Sequence, residues 1–384
     1  MKRLALIFAL GLLACCSSSE NVERKTPVFA WESAGLSVDF DEAERLGSGI
    51  EAVASVGEYL FARNDRRLDG KRCYQLFFGK AGSLLWKELK LPDGDIPNVL
   101  FADSGALYVG TFFSFRGARL WKFFPDREMW TEIPLPVLDK KFPISDSAYG
   151  IDGIAKFRGR LVLSFSSGRN GEQNPVYFET ENGSWKNGNK GFPPEESFLR
   201  AAEWNGSLFA MTYGSGVYRF DTADLAWHRV KAPAVVCENG PWNDSSTLSR
   251  DAVSFDGKLL VGYANLEGAF ALSPEGSWSQ QTECSLVQKE NGSVLVARAF
   301  PSVYRFVPFR DGHIALGEGS AFYSANSKIR VDLPPISGVS EILDGTLVGD
   351  TLYVAAFQKG VMKISLAGLD SATHSQTILL EKTK

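Results

Sequence analysis

A glycine-led turn followed by a short apolar strand recurs seven times along this chain. The glycines are Gly57, Gly105, Gly159, Gly206, Gly257, Gly312 and Gly349. The strands that follow them include Tyr59-Leu60-Phe61-Ala62, Leu208-Phe209-Ala210-Met211 and Leu352-Tyr353-Val354-Ala355. Successive glycines lie 48, 54, 47, 51, 55 and 37 residues apart. Each unit continues with an aromatic-rich strand, such as Leu120-Trp121-Lys122-Phe123-Phe124 or Val217-Tyr218-Arg219-Phe220-Asp221. A tight turn such as Glu181-Asn182-Gly183-Ser184 comes next. A further strand then opens on Trp86, Trp130, Trp185, Trp227 or Trp278, which puts five of the nine tryptophans at one position of the repeat. A unit of this size cannot bury its apolar face alone, so the copies must pack on one another.

Alternating apolar residues between Gly and Asn turns specify antiparallel strands. Four strands in about 50 residues, repeated radially so that few edges stay open, are the arithmetic of a β-propeller. The expected fold is all-β, a seven-bladed β-propeller of four-stranded antiparallel blades, with the tryptophans filling the widening gaps between blades. The mature chain shows no helical periodicity of useful length. At 384 residues, length alone suggests two or three domains, but the unbroken repeat argues for one, over residues 28–384. The last unit has no Trp strand, so Val28-Phe29-Ala30-Trp31-Glu32 or Thr377-Ile378-Leu379-Leu380 must supply its outer strand. The stretch from Leu208 to Trp227 resembles kelch and sialidase-like (BNR) propeller repeats, and the likeness extends over roughly residues 50–366. It is one of repeat grammar. Most units lack the paired glycines of kelch repeats, and the turns Thr180 to Trp185 and Ser273 to Trp278 are shorter than a full Asp-box. The resemblance implies a fold and no catalytic residues.

The first residues read as an address. Met1-Lys2-Arg3 is basic, and the apolar run Leu4 to Ala14 suits the core of a signal peptide while being too short to span a bilayer as a mature helix. Its end, Leu12-Leu13-Ala14-Cys15, resembles the lipobox of bacterial lipoproteins. That resemblance implies cleavage after residue 14 and a diacylglyceryl thioether on Cys15. Residues 15–27 then form a small, polar, flexible tether. In that family an Asp after the lipidated Cys retains the protein at the inner membrane. Cys16 stands there instead, which implies an extracytoplasmic protein anchored at the outer membrane. Export permits disulfides. Cys237 and Cys284 are 47 residues apart, near one repeat length, and are read either as a disulfide between adjacent blades or as two free thiols.

Composition excludes some functions. With 41 basic and 45 acidic residues the chain has no bulk field to hold DNA or RNA. Three His and five Cys, widely scattered, make no metal-ligand pattern, and no P-loop, dinucleotide, Gly-x-Ser-x-Gly or His-Glu-x-x-His motif is present. No cofactor is expected and no catalytic residue is assigned.

The first strand of each propeller blade lines the central channel. Six to eight residues before each repeat glycine stand Glu51, Asn98, Asp152, Arg200, Arg250 with Asp251, Arg305 and Glu341. These are expected to ring one channel mouth, either as ordinary polar lining or as a mixed-charge ligand pocket. Within that ring the candidate ligand-binding residues are Asp152, Arg200, Arg250, Asp251 and Arg305. The long link from Ala232 to Leu248 adds Trp242 and Asp244, which suit a sugar ring and its hydroxyls, or a small core within the loop itself. Asn64 to Arg72, Ser166 to Pro175 and Leu138 to Tyr149 are expected as loops on the same face. The leading function is a membrane-tethered binding protein for a protein or glycan ligand. The alternatives are a carbohydrate-active enzyme of sialidase-like or lyase type, and a scaffold subunit of an envelope complex.

Overall fold

The computed structural model describes residues 29–37, 49–68, 71–112, 117–135, 149–167, 173–212, 214–231, 248–264, 268–281, 302–318, 321–325 and 329–369. They form seven antiparallel sheets of four strands each. The innermost strands of blades 1 to 7 are Gly49–Val56, Pro97–Asp103, Tyr149–Phe157, Phe198–Trp204, Ser249–Phe255, Val303–Phe309 and Ile342–Val348. Each packs beside the inner strands of both adjacent blades, and the seventh adjoins the first. The expected seven-bladed propeller is the fold.

The repeat glycine has a conformational cause. In blades 2 to 5 the first two strands are joined by Ser104-Gly105, Arg158-Gly159, Asn205-Gly206 and Asp256-Gly257, with positive φ at both residues. Two left-handed residues make the type I′ turn, whose twist matches that of the flanking strands, and glycine adopts that backbone without a Cβ penalty. Turns between the third and fourth strands lie on the same face: the N–H of Ala81 donates to the carbonyl of Glu58 in the first turn of blade 1. This is the turn face. The inner strands start on the opposite face, the mouth face. Blade 1 is taller there than expected. Asn64 to Arg72 is no simple loop, because Tyr59–Leu68 and Lys71–Lys80 stay paired out to Leu68 and Lys71.

The chain start closes the ring. Glu32–Ser33 is the outer strand of blade 7, pairing with Lys363 and Met362. The Ala34 N–H continues the ladder to the carbonyl of Val361. Of the two sequence options, the N-terminal one supplies this strand; Thr377 to Leu380 lies outside the described residues, as do Cys15, the tether, Cys237, Cys284, Trp242 and Asp244.

The core sits between blades. Phe61 and Phe78 of blade 1 pack with Leu107 and Phe123 of blade 2, and Phe157 of blade 3 with Leu208 and Phe220 of blade 4. The outer-strand tryptophans have a different task from simple gap filling. Trp227 is fully buried, but Trp86, Trp130, Trp185 and Trp278 are only half-buried. What most of them share is a hydrogen bond. The indole N–H of Trp86 donates to Ala34 (2.8 Å), Trp185 to Pro134 (2.9 Å), Trp227 to Gly188 (2.8 Å) and Trp278 to Lys231 (2.6 Å). Each acceptor is a backbone carbonyl just past the outer strand of the preceding blade. Trp31 joins the set, donating to Pro334 at 2.6 Å from the closing strand. Five blade junctions thus carry one directional latch each.

Replacing Trp31 by Phe keeps the ring and removes its donor, and a net hydrogen bond is worth about 1 kcal/mol. Trp227→Ala should cost about 3–5 kcal/mol, because it also empties a buried aromatic site. Urea denaturation of both variants measures this. Wild-type stability in Trp31→Phe would show that the latch contributes nothing.

His313 gives the fold an acid limit. It is buried in blade 6, edge-on to Phe255 (centroids 4.7 Å) and Phe306 (5.4 Å), and burial lowers its pKa to about 4. A base whose pKa falls on folding stabilises the native state above its ordinary pKa of 6.5, and that contribution disappears as pH falls toward 4. The loss approaches about 3 kcal/mol. Thermal melts between pH 7 and 4 should show a steeper decline for the wild type than for His313→Leu. Parallel declines would remove His313 as the cause.

Candidate functional site

Every inner strand carries a β-bulge at the same height. The register slips between Ile50 and Ala52, Pro97 and Val99, Ile151 and Gly153, Phe198 and Arg200, Ser249 and Asp251, Val303 and Arg305, and Ile342 and Asp344. An extra residue breaks the strict in–out alternation and re-aims one side chain. The seven bulged residues are Glu51, Asn98, Asp152, Leu199, Arg250, Tyr304 and Leu343, and all seven line one recess of about 520 Å³ at the mouth. Arg63, Arg200, Glu341 and Phe357 also line it.

The structure brings most of the sequence-predicted residues to this place. Asp152 and Arg250 are bulge residues. Arg200 is one position further along, and reaches both the mouth and a second recess of about 310 Å³ deeper in the channel. Asp251 and Arg305 belong to that deeper recess. Sequence reading missed Asp344, Arg63 and Tyr304. The first lies one step past a bulge, the second is on a second strand, and the third stands beside the Arg that was chosen in its place.

The deeper ring is charge-compensated from within. The Arg305 guanidinium lies 3.1 Å from Asp251 and 3.1 Å from Asp344, and Arg200 reaches Asp344 at 3.0 Å. Both carboxylates are buried and also take backbone donors: Phe306 N–H to Asp251 at 2.8 Å, and Gly345 and Val53 N–H to Asp344 at 2.9 and 3.3 Å. Burial opposes the charge on Arg305, yet Asp251 and Asp344 hold its pKa above the ordinary value. Arg305 and Arg200 therefore already have carboxylate partners within the channel.

The mouth itself is mixed. Three acidic residues (Glu51, Asp152, Glu341) and three basic ones (Arg63, Arg200, Arg250) line it. Arg63 pairs with Glu51 and stacks 5.6 Å over the Tyr74 ring. Asp152 accepts from Ser197 (2.7 Å) and Asn98 (3.1 Å), while burial nonetheless raises its pKa. Tyr304 donates to Glu341 at 3.3 Å, and burial followed by that carboxylate pushes the phenol up to about 12. Arg250 lies 5.7 Å over the Tyr304 ring. The described histidines are elsewhere: His313 is in the blade 6 core, and His228 is on an outer strand, 2.8 Å from Asp224.

No protein-family model matches the chain, and no curated protein matches it in sequence. Solved structures do resemble it in fold. A catalytically inactive variant of virginiamycin B lyase from Staphylococcus aureus, with quinupristin, superposes with a TM-score of 0.57 at 12% identity, covering 88% of this chain and 100% of that one. YCF48 bound to D1 peptide gives 0.53 at 12% identity, over 89% of this chain and 96% of that one. The extracellular domain of a hybrid two-component system from B. thetaiotaomicron gives 0.55 at 9% identity, over 88% of this chain and 42% of that one. At these identities the likeness is one of fold.

Asp344→Ala would leave Arg305 and Arg200 short of a shared buried carboxylate. Breaking such a network by removing one partner costs on the order of 3 kcal/mol. Chemical denaturation measures it. An unchanged midpoint would mean that the pairs contribute nothing.

Proposed function

We propose that this chain is an exported, lipid-anchored β-propeller that binds a peptide segment of a partner protein through its channel mouth. The observation that carries the reading is the alignment of seven bulges on one recess. Channel lining needs no such device, whereas a binding site gains from side chains aimed by rigid strands. The paired charges of the mouth suit a ligand carrying both signs better than a simple anion. Leu199, Leu343 and Phe357 add apolar surface for a side chain. YCF48, which this fold resembles, is bound to a peptide. The Leu12-Leu13-Ala14-Cys15 stretch supports anchoring and export.

Two measurements test this. Cys15→Ala should move the protein from the membrane to the soluble fraction, and persistence in the membrane would sink the lipid anchor. The released protein is then presented to a mixed-sequence peptide array and a glycan array. Peptide binding is expected, weakening as salt screens the solvated mouth. Arg250→Ala should reduce it by about tenfold, the loss of one charged hydrogen bond. Binding to glycans alone, or binding that Arg250→Ala leaves intact, overturns the peptide reading.

A further inference from the structure

A cavity of about 740 Å³, larger than the mouth recess, opens on the turn face between blades 3 and 4. Its floor is aromatic. Phe178 and Phe220 lie with centroids 4.5 Å apart, and Phe157 meets both nearly edge-on. Phe178 leans over Gly188, where a Cβ would come within 2.3 Å of its ring, so only glycine lets the ring lie against that backbone. The volume is in the ordinary range of small-molecule sites.

The lip carries a second, independent sign. Leu225, on the last turn of blade 4, is 49% exposed and has φ 54°. Eight other non-glycine residues take this left-handed region among the described residues, Glu128 in the corresponding turn of blade 2 included, and all eight are polar or charged. A bulky side chain there is strained, at a cost of order 1 kcal/mol or more. Half of the Leu225 surface stays in water and gains no packing in return. A large apolar group held out to water at conformational cost is accounted for by an occupant that covers it.

Charge identifies that occupant. Lys186 is exposed and makes no ion pair among the described residues. Arg158 is exposed, with its guanidinium 5.1 Å over the Phe157 ring. Of the acidic neighbours, Glu181 is paired with Arg160 at 2.7 Å and Glu179 accepts the Leu161 N–H at 3.0 Å. Three basic residues, Arg158, Arg160 and Lys186, and two acidic ones, Glu179 and Glu181, line the cleft, with Glu203 accepting the Arg158 N–H at 2.9 Å, so Lys186 is the cation left for a ligand over an apolar, aromatic floor. We propose that this cleft is a second ligand site, independent of the mouth, that takes a small aromatic anion: its ring on Phe178 and under Leu225, its acidic group toward Lys186.

The probe is 8-anilinonaphthalene-1-sulfonate, followed by fluorescence and calorimetry, with neutral N-phenyl-1-naphthylamine as comparator. One saturable site is expected. Leu225→Asn, which suits a left-handed turn, should weaken the probe about fivefold, as loss of one partly buried apolar contact implies, without lowering the melting temperature. Lys186→Glu should weaken the sulfonate and leave the neutral comparator unchanged. Arg250→Ala at the mouth should leave both unchanged, so failure here and failure of the peptide reading are distinguishable. Non-saturable binding, or saturable binding indifferent to both Leu225→Asn and Lys186→Glu, overturns the proposal.

Discussion

The inner strand of a propeller blade is crowded by its own sheet on one side and by the channel on the other. Its side chains alternate strictly unless something breaks the pleat. Here one additional residue per strand does so, at the same height in every blade, and what the channel presents follows from that break. Residues before the bulge keep the blade core, the bulged residue turns to the mouth, and in blades 4 to 7 the next residue points down the channel. Moving a bulge by one position would exchange Arg250 for Asp251, or Tyr304 for Arg305, at the mouth. The electrostatics of the site are therefore set by backbone register as much as by residue type.

That dependence explains how far the sequence could be read. Blade number was legible because type I′ turns require glycine and leave a periodic mark, and because the outer strands open on Trp. Closure by the chain start was legible as one of two options, and Trp31 in that segment now stands as a member of the latch series. The mouth ring was legible only to within a residue. Glu51, Asn98, Asp152 and Arg250 occupy bulges, while Arg200 and Arg305 stand one step beyond theirs. A bulge leaves no mark in composition, and the distance from bulge to repeat glycine varies between blades. Asp344 was passed over for Glu341 for the same reason.

Charge in the channel is organised by depth. The lower ring is a closed network, with two arginines and two buried carboxylates that also take backbone donors. Such a network ties blades together around and across the channel: Asp344 of blade 7 accepts from Val53 of blade 1 and pairs with Arg200 of blade 4 and Arg305 of blade 6. The upper ring has the same mixture of signs but meets solvent. One constellation therefore serves as a structural tie below and a polar reading surface above.

The closing strand also sets a timetable. Trp31 and its acceptor on Pro334 are separated by 303 positions in the chain, so the closing strand must wait for a sixth blade made long after it. Contacts of such long span form late, because the intervening chain must be ordered before they repay the entropy of closure. Until Glu32 and Ser33 dock, the third strand of blade 7 presents bare amides and carbonyls, the kind of edge on which strands of other molecules add. Protection from aggregation therefore arrives only when the ring shuts. A ring still open at this strand has nearly all of its core and none of that protection.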